Sequence, residues 1–339
     1  MEFGEVDVDQ ARGAVLAHSM PLRAGKRLRK GAVLGAADLA ALRDAGITAV
    51  TVARLAPGDV DEDSAARKLA SALVPDPANA GLRLEPVGTG RVNILAAGPG
   101  VTRIDAARID AVNRCDSTIT LATVPPWQRM TSGEMVATVK IIAYGVDGAA
   151  LARACHAAQG ALALARPVLQ DAVLIQTSVG PPFNPEKGRR VIGARLRRLG
   201  VALGPDITVP HRTGMLEQAL REATGDLLLI LTGSATSDIR DVAPEALRAA
   251  GGEVIHFGMP VDPGNLLFLG RLDGRPVIGL PGCARSPALN GADWVMERVI
   301  CGITLRPEDI MGMGVGGLLK EIPSRPRPRD RAQEPHAGE

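Results

Sequence analysis

Three short polar loops hold residue types suited to gripping a small anionic molecule. The first runs Thr232-Gly233-Ser234-Ala235-Thr236-Ser237-Asp238-Ile239-Arg240-Asp241, between an apolar run at 227–231 and a helical pattern at 242–250. Ser234, Thr236, Ser237 and Asp238 supply hydroxyl and carboxylate oxygens, and Gly233 lets a ligand approach the backbone. Asp241 suits the cap of the next helix, with Pro244 tolerated in its first turn. Asp238 and Asp241, three positions apart, could also hold Mg²⁺ through oxygen and water ligands, a weaker reading than the cap. The third loop runs Pro281-Gly282-Cys283-Ala284-Arg285-Ser286-Pro287 after an apolar run at 277–280. In it Ser286 reads as a helix cap and Pro287 as the first helical residue. Gly282 allows close approach, and Arg285 offers a charged fork for a phosphate. Cys283 reads as a small buried residue, since no histidine lies near it in sequence to activate a thiolate. The second loop, Asp262-Pro263-Gly264-Asn265, is by itself a β-turn signature and gains weight from lying between the other two.

Such loops need a scaffold that brings strand ends together. Residues 151–305 alternate strand patterns (172–176, 206–209, 227–231, 254–256, 277–280) with helical ones (188–199, 214–223, 242–250 and a last helix reaching 300). That alternation implies an α/β fold of three layers, a parallel sheet with helices on both faces. Loops at the carboxyl ends of such strands are where these sheets hold ligands, and helix starts there favour anions. Ahead of this domain, 1–57 reads as a short β/α segment, with a helix at 36–45, a stop at Gly46 and a strand at 49–53. Residues 58–150 read as a small β-rich α+β domain with a helix opened by Asp61-Glu62-Asp63-Ser64. Residues 306–339 read as a Gly/Pro-rich disordered tail, in which 323–339 holds four prolines and seven charged side chains. Gly312-Met-Gly-Val-Gly-Gly317 matches a dinucleotide fingerprint only formally, because no strand precedes it.

Bulk properties narrow the function classes. The chain has 339 residues, 46% hydrophobic and 22% charged, with a net charge of +2, which gives no reason to expect a polyanionic partner. Aromatic residues make up 2%, too few for the stacking platforms of single-stranded nucleic-acid binding. Cys115, Cys155, Cys283 and Cys301 lack metal-ligand spacing and read as small buried residues or free thiols in a reducing compartment. His18, His156, His211, His256 and His336 are scattered, and a structural or exposed role is expected of each. The acidic opening differs from a signal peptide and no run is long and apolar enough to span a membrane, so a cytoplasmic protein is expected.

Gly233-Ser-Ala-Thr-Ser-Asp-Ile-Arg-Asp241, Pro263-Gly264-Asn265 and Leu280-Pro-Gly-Cys283 together resemble the three loops of the molybdopterin-binding domain of molybdopterin molybdenumtransferases. Residues 22–53 resemble the segment that precedes this domain in those transferases. The whole chain is similar to the amino-terminal half of larger bacterial proteins, in which a molybdopterin-binding region precedes a cytidylyltransferase. Gly258-Met-Pro-Val-Asp-Pro-Gly-Asn265, Gly282-Cys-Ala-Arg-Ser-Pro287 and Met313-Gly-Val-Gly-Gly-Leu-Leu319 carry that likeness.

The resemblance implies a molybdopterin-binding protein of molybdenum-cofactor biosynthesis, with Mg²⁺ a candidate ion at Asp241 and molybdate insertion the candidate reaction. The substrate-binding set would be Thr232, Gly233, Ser234, Thr236, Ser237, Asp238, Asp262, Pro263, Gly264, Asn265, Pro281, Gly282, Arg285 and Ser286. One departure bears on catalysis. Where the transferases carry Gly-Asp-Glu-Leu after the first strand, this chain has Gln176-Thr-Ser-Val-Gly-Pro181. The alternative is a non-catalytic scaffold that presents cofactor to a separate molybdenum-cofactor cytidylyltransferase. The expected partners are thus a pterin and such a transferase, with no nucleic acid, no membrane, and a homo-oligomer as the assembly.

Overall fold

Leu227–Leu231 is buried at every position, as a continuous apolar run must be when it forms the middle strand of a sheet covered on both faces. In the computed structural model, which describes residues 1–181 and 183–319, this strand pairs in parallel with Asp171–Ser178 on one side and Arg275–Leu280 on the other. The sheet order is Ala202–Leu203, Asp171–Ser178, Leu227–Leu231, Arg275–Leu280, Phe268–Leu272 and Glu253–Phe257, and Ile207–Pro210 also pairs with Asp171–Ser178. Val173, Ile175, Leu228 and Ile230 pack with Leu216 and Leu220 of helix Thr213–Glu222 and with Ala243 and Leu247 of helix Val242–Ala249. The alternate strand residues point to the opposite face. There helix Pro185–Arg197 lies so close that a Cβ on Gly188 would stand 2.9 Å from Leu231. The fold is α/β in three layers.

One strand departs from the expected parallel set. Phe268–Leu272 runs antiparallel to both its neighbours, Arg275–Leu280 and the edge strand Glu253–Phe257, which itself keeps the direction of the parallel strands. Phe268–Leu272 is absent from the strands read in the sequence, although Asp273-Gly274 marks it. Both residues have positive φ (49° and 79°), the backbone of a mirror-image hairpin turn, which Asp-Gly adopts readily.

The chain divides after Ala165: the first unit is Met1–Gly98 with Thr102–Ala165, and the second is Pro99–Val101 with the residues from Arg166 on. The boundary expected at 150/151 is therefore misplaced. Helix Gly148–Ala158 buries Leu151, Ala154 and Ala158 in the core of the first unit, with Leu69 and Leu73 of helix Glu62–Leu73. That core lies under an antiparallel sheet of Ile119–Thr123, Met135–Ile141, Arg91–Ala96 and Leu82–Gly88. Asp61 caps the Glu62–Leu73 helix through Ser64 N–H at 2.9 Å, as its acidic start suggests. Val8, Leu16, Leu39, Leu42 and Val52 form a separate small cluster around helix Ala36–Asp44 and strand Ala49–Arg54.

Of the tail expected at 306–339, residues 306–319 are ordered. They form the short helix Pro307–Met311, and Leu318 makes a parallel bridge to Asp262. Residues 320–339, and so the Pro/Arg-rich stretch at 323–339, lie outside the described residues. No helix among the described residues is long and apolar enough to cross a membrane.

Candidate functional site

At the carboxyl end of Leu227–Leu231 the chain turns through Thr232 and Gly233. Thr232 is buried, and its Oγ1 donates to Ser234 O at 2.5 Å and lies 3.4 Å from Thr236 Oγ1. Gly233 presses against the neighbouring strand end. A Cβ there would sit 2.6 Å from Thr177 O, so only glycine fits. Its N–H donates to Thr177 Oγ1 at 2.9 Å, and that hydroxyl also shares a 2.8 Å hydrogen bond with His211 Nδ1. Beyond this anchor, Ser234 and Ala235 are exposed and Thr236 is buried. Among the described residues no hydrogen-bond acceptor meets the backbone N–H groups of Ser234, Ala235 or Thr236. Three successive backbone donors without an acceptor among the described residues are available to an anion.

The loop closes on Asp241. One carboxylate oxygen accepts from Val242 N–H at 2.7 Å and the other from Ser237 N–H at 3.0 Å, so Asp241 caps helix Val242–Ala249. Asp238 is exposed and accepts from both the backbone N–H and the Nε of Arg240. The side-chain bond from Arg240 holds the Asp238 carboxyl below its ordinary value. Among the described residues, no group of three or more His, Cys, Asp or Glu side chains is placed to share a metal ion.

The third loop is built differently from the sequence expectation. Residues Gly282–Arg285 form a 3₁₀ turn, and the following helix, Gly291–Ile300, starts five residues beyond Ser286. Its cap is Asn290, whose Oδ1 accepts from Ala292 N–H, while Asp293 Oδ2 accepts from Asn290 N–H in return. Ser286 is therefore not the helix cap, nor Pro287 the first helical residue. Asn290-x-x-Asp293 is a capping-box pattern and was the better signal. Ser286 Oγ instead accepts from Ala288 N–H at 3.3 Å within the loop. Cys283 is exposed, against the expectation of burial, and its Sγ accepts from Asn290 Nδ2 at 3.1 Å. Cys301 is the buried thiol, and burial pushes its pKa up to about 12.

Arg195 shapes this loop from behind. Its guanidinium is 7% exposed and pairs with Asp293, while its remaining N–H groups donate to Ala284 O (2.7 Å), Ser286 O and Ala288 O (both 2.9 Å). Inside a pattern read only as a basic amphipathic helix, nothing marked this arginine as buried. Arg285 ties the third loop to the first, its Nη2 donating to Thr232 O at 2.8 Å. Burial holds the Arg285 guanidinium below its ordinary value.

The second loop joins through the helix start. Pro263 O accepts from Gly291 N–H at 2.9 Å, and Gly264 is buried so close to Gly291 that a Cβ would stand 2.8 Å from its nitrogen. The Asp262–Pro263 peptide is cis, and the Asp262 backbone bonds to Gly317 and Leu319. Asn265 is exposed. All three loops thus meet at one end of the sheet, linked by Arg285, Asn290 and Gly291. Thr177, His211 and Asn290 belong to the same constellation and were not singled out from the sequence. Gln176, at the position of the transferases' acidic motif, is buried. Its Nε2 donates to Pro185 O at 3.0 Å and its Oε1 has no partner among the described residues.

A family model described as a domain of unknown function, DUF8806, matches residues 5–54. No curated protein matches by sequence. Among solved structures, the chain is similar to the molybdopterin biosynthesis MoeA protein from Pyrococcus horikosii, at 13% identity and a TM-score of 0.28, over 92% of this chain and 76% of that one. It is similar to molybdenum cofactor biosynthesis protein B at 14% identity and a TM-score of 0.27, over 39% of this chain and 88% of the other. A third is a CinA protein of unknown function from Thermoplasma acidophilum, at 18% identity and a TM-score of 0.25, over 34% and 90%. These likenesses are too weak to assign an activity.

Proposed function

We propose that this protein binds molybdopterin, or its nucleotide form, as a component of molybdenum-cofactor biosynthesis. The observation that carries this reading is the bond from Arg285 to Thr232 O, which draws together two of the three loops that resemble the family's ligand loops. The free N–H groups of Ser234, Ala235 and Thr236 beside that arginine suit the phosphate of such a ligand. Ser237 and Asp238, exposed on the same loop, are available to the polar edge of the pterin ring. Gly282, Pro263 and Asn265 would be the contacts supplied by the other two loops.

Binding without turnover is the form of this function that the local chemistry favours. Gln176 is a neutral amide, which tolerates full burial far better than a carboxylate would. Asp241, the candidate Mg²⁺ ligand, already has one backbone N–H on each oxygen. Each oxygen keeps a second lone pair, so the cap does not by itself block a metal contact. The test has two parts. Purified protein is assayed for bound pterin by fluorescence after oxidation, and then for AMP release when the adenylylated pterin and molybdate are supplied with Mg²⁺. Bound pterin without AMP release is the expected result; release of AMP would make it a transferase. Arg285→Ala should weaken pterin binding by about 1–3 kcal/mol, the usual worth of a hydrogen bond to a charged group. Unchanged affinity in a folded variant would remove Arg285 from the site.

A further inference from the structure

A cavity of ≈ 340 Å³ lies between one face of helix Pro185–Arg197 and the 281–287 loop. Lys187, Arg190, Ala194 and Arg198 line it, a spacing that sets them along one helical stripe. Arg285 and Pro287 face them from the loop. Arg195 contributes only its stem to this wall, because Asp293 and three carbonyls occupy its guanidinium. Lys187, Arg190 and Arg198 are exposed, and among the described residues their side chains have no hydrogen-bond or ion-pair partner. Among the described residues no carboxylate lines the cavity. The carboxylates nearest in sequence are Glu186, which is exposed and not part of the lining, and Asp206, which pairs with Arg189. The floor is apolar, made by Val191, Ala194 and Pro287.

Cations on a solvated helix face normally spread apart or pair with carboxylates along the same helix. Here four converge from two elements on one concave surface, where their mutual repulsion is uncompensated. Arg285 adds to the imbalance, because it is half-buried with a carbonyl as its partner in place of a counter-charge. A multiply charged anion would relieve that repulsion, and the apolar floor would accept a flat ring beside it. The cavity has the size of small-molecule sites.

We propose that the groove lined by Lys187, Arg190, Arg198 and Arg285 is a binding site for a small phosphoanion, a nucleotide phosphate or free pyrophosphate. The site stands whether or not the three loops take a pterin, since three of its four cations lie outside them. The test is calorimetric titration of the full chain with inorganic pyrophosphate, with AMP and with a single-stranded oligonucleotide, on the wild type and on Arg190→Gln/Arg198→Gln. Both arginines are exposed, so the variant should melt at the wild-type temperature.

Saturable uptake of pyrophosphate or AMP is expected, weakening roughly a hundredfold in the double variant, while pterin binding stays intact. Tighter binding of AMP than of pyrophosphate identifies a nucleotide, with its ring on Val191 and Pro287. Equal or weaker binding of AMP identifies the free phosphoanion. Absence of uptake of either at millimolar concentration, or equal affinity in the double variant, overturns the proposal. Binding of the oligonucleotide that neither small anion displaces also overturns it.

Discussion

Asp241 meets the needs of a helix start within its own loop, since each carboxylate oxygen accepts a backbone N–H. Asp241→Ala should therefore cost about 1 kcal/mol of stability, while Asp241→Asn should be almost silent in a denaturant melt. If the residue also holds Mg²⁺, the Asn variant would lose any molybdate-dependent turnover while keeping its stability. The cysteines provide a second check at this scale. Cys283 is exposed and Cys301 has its pKa raised to about 12 by burial, so at pH 8 the thiolate form of Cys301 is scarce. A thiol reagent should label Cys283 in the native protein and reach Cys301 only after unfolding; native labelling of Cys301 would contradict its packing. The loop glycines and the Asp241 cap were legible in the sequence because turn and cap chemistry is local. Thr177 and His211 were not, because their bonds to Gly233 and to each other span 56 and 34 residues.

Helix Pro185–Arg197 and the 281–290 segment are held together by Arg195, whose charge is paired with Asp293 out of contact with water. Arg195→Met keeps only the apolar stem of the side chain and strands Asp293 as a buried charge, so about 3–5 kcal/mol of stability should be lost in equilibrium unfolding. A loss below 1 kcal/mol would mean that the pair is solvated in solution. The Asp273-Gly274 hairpin is testable in the same way. Gly274→Ala places a side chain at φ 79°, and should destabilise by about 1 kcal/mol without altering the ligand site. Most strands and helices of the second unit follow from apolar runs and capping residues. The misread parts have physical reasons. A strand whose partner lies across a two-residue turn looks like a continuation of its neighbour. Ser286-Pro287 has the chemistry of a helix start, yet the carbonyls that Arg195 gathers at 284, 286 and 288 hold that stretch out of a helix.

Each of the two units carries its own buried cluster and one tryptophan, Trp127 in the first and Trp294 in the second. Single-tryptophan variants can therefore report the two unfolding transitions separately. Arg195→Met is expected to shift the transition seen by Trp294. The unit boundary was displaced in the sequence reading because an alanine-rich helix, Gly148–Ala158, packs as readily in one core as in another. Only its contacts with Leu69 and Leu73 place it in the first. The central claim, that the three loops form a pterin site, is tested most directly by equilibrium titration of the purified protein with molybdopterin, beside Ser234→Pro. That substitution removes one of the three free N–H donors at an exposed position. Saturable binding near one equivalent per chain, weakened at least tenfold by Ser234→Pro in a protein that remains folded, is the predicted result. No saturable binding, or binding that the proline leaves unchanged, would contradict it.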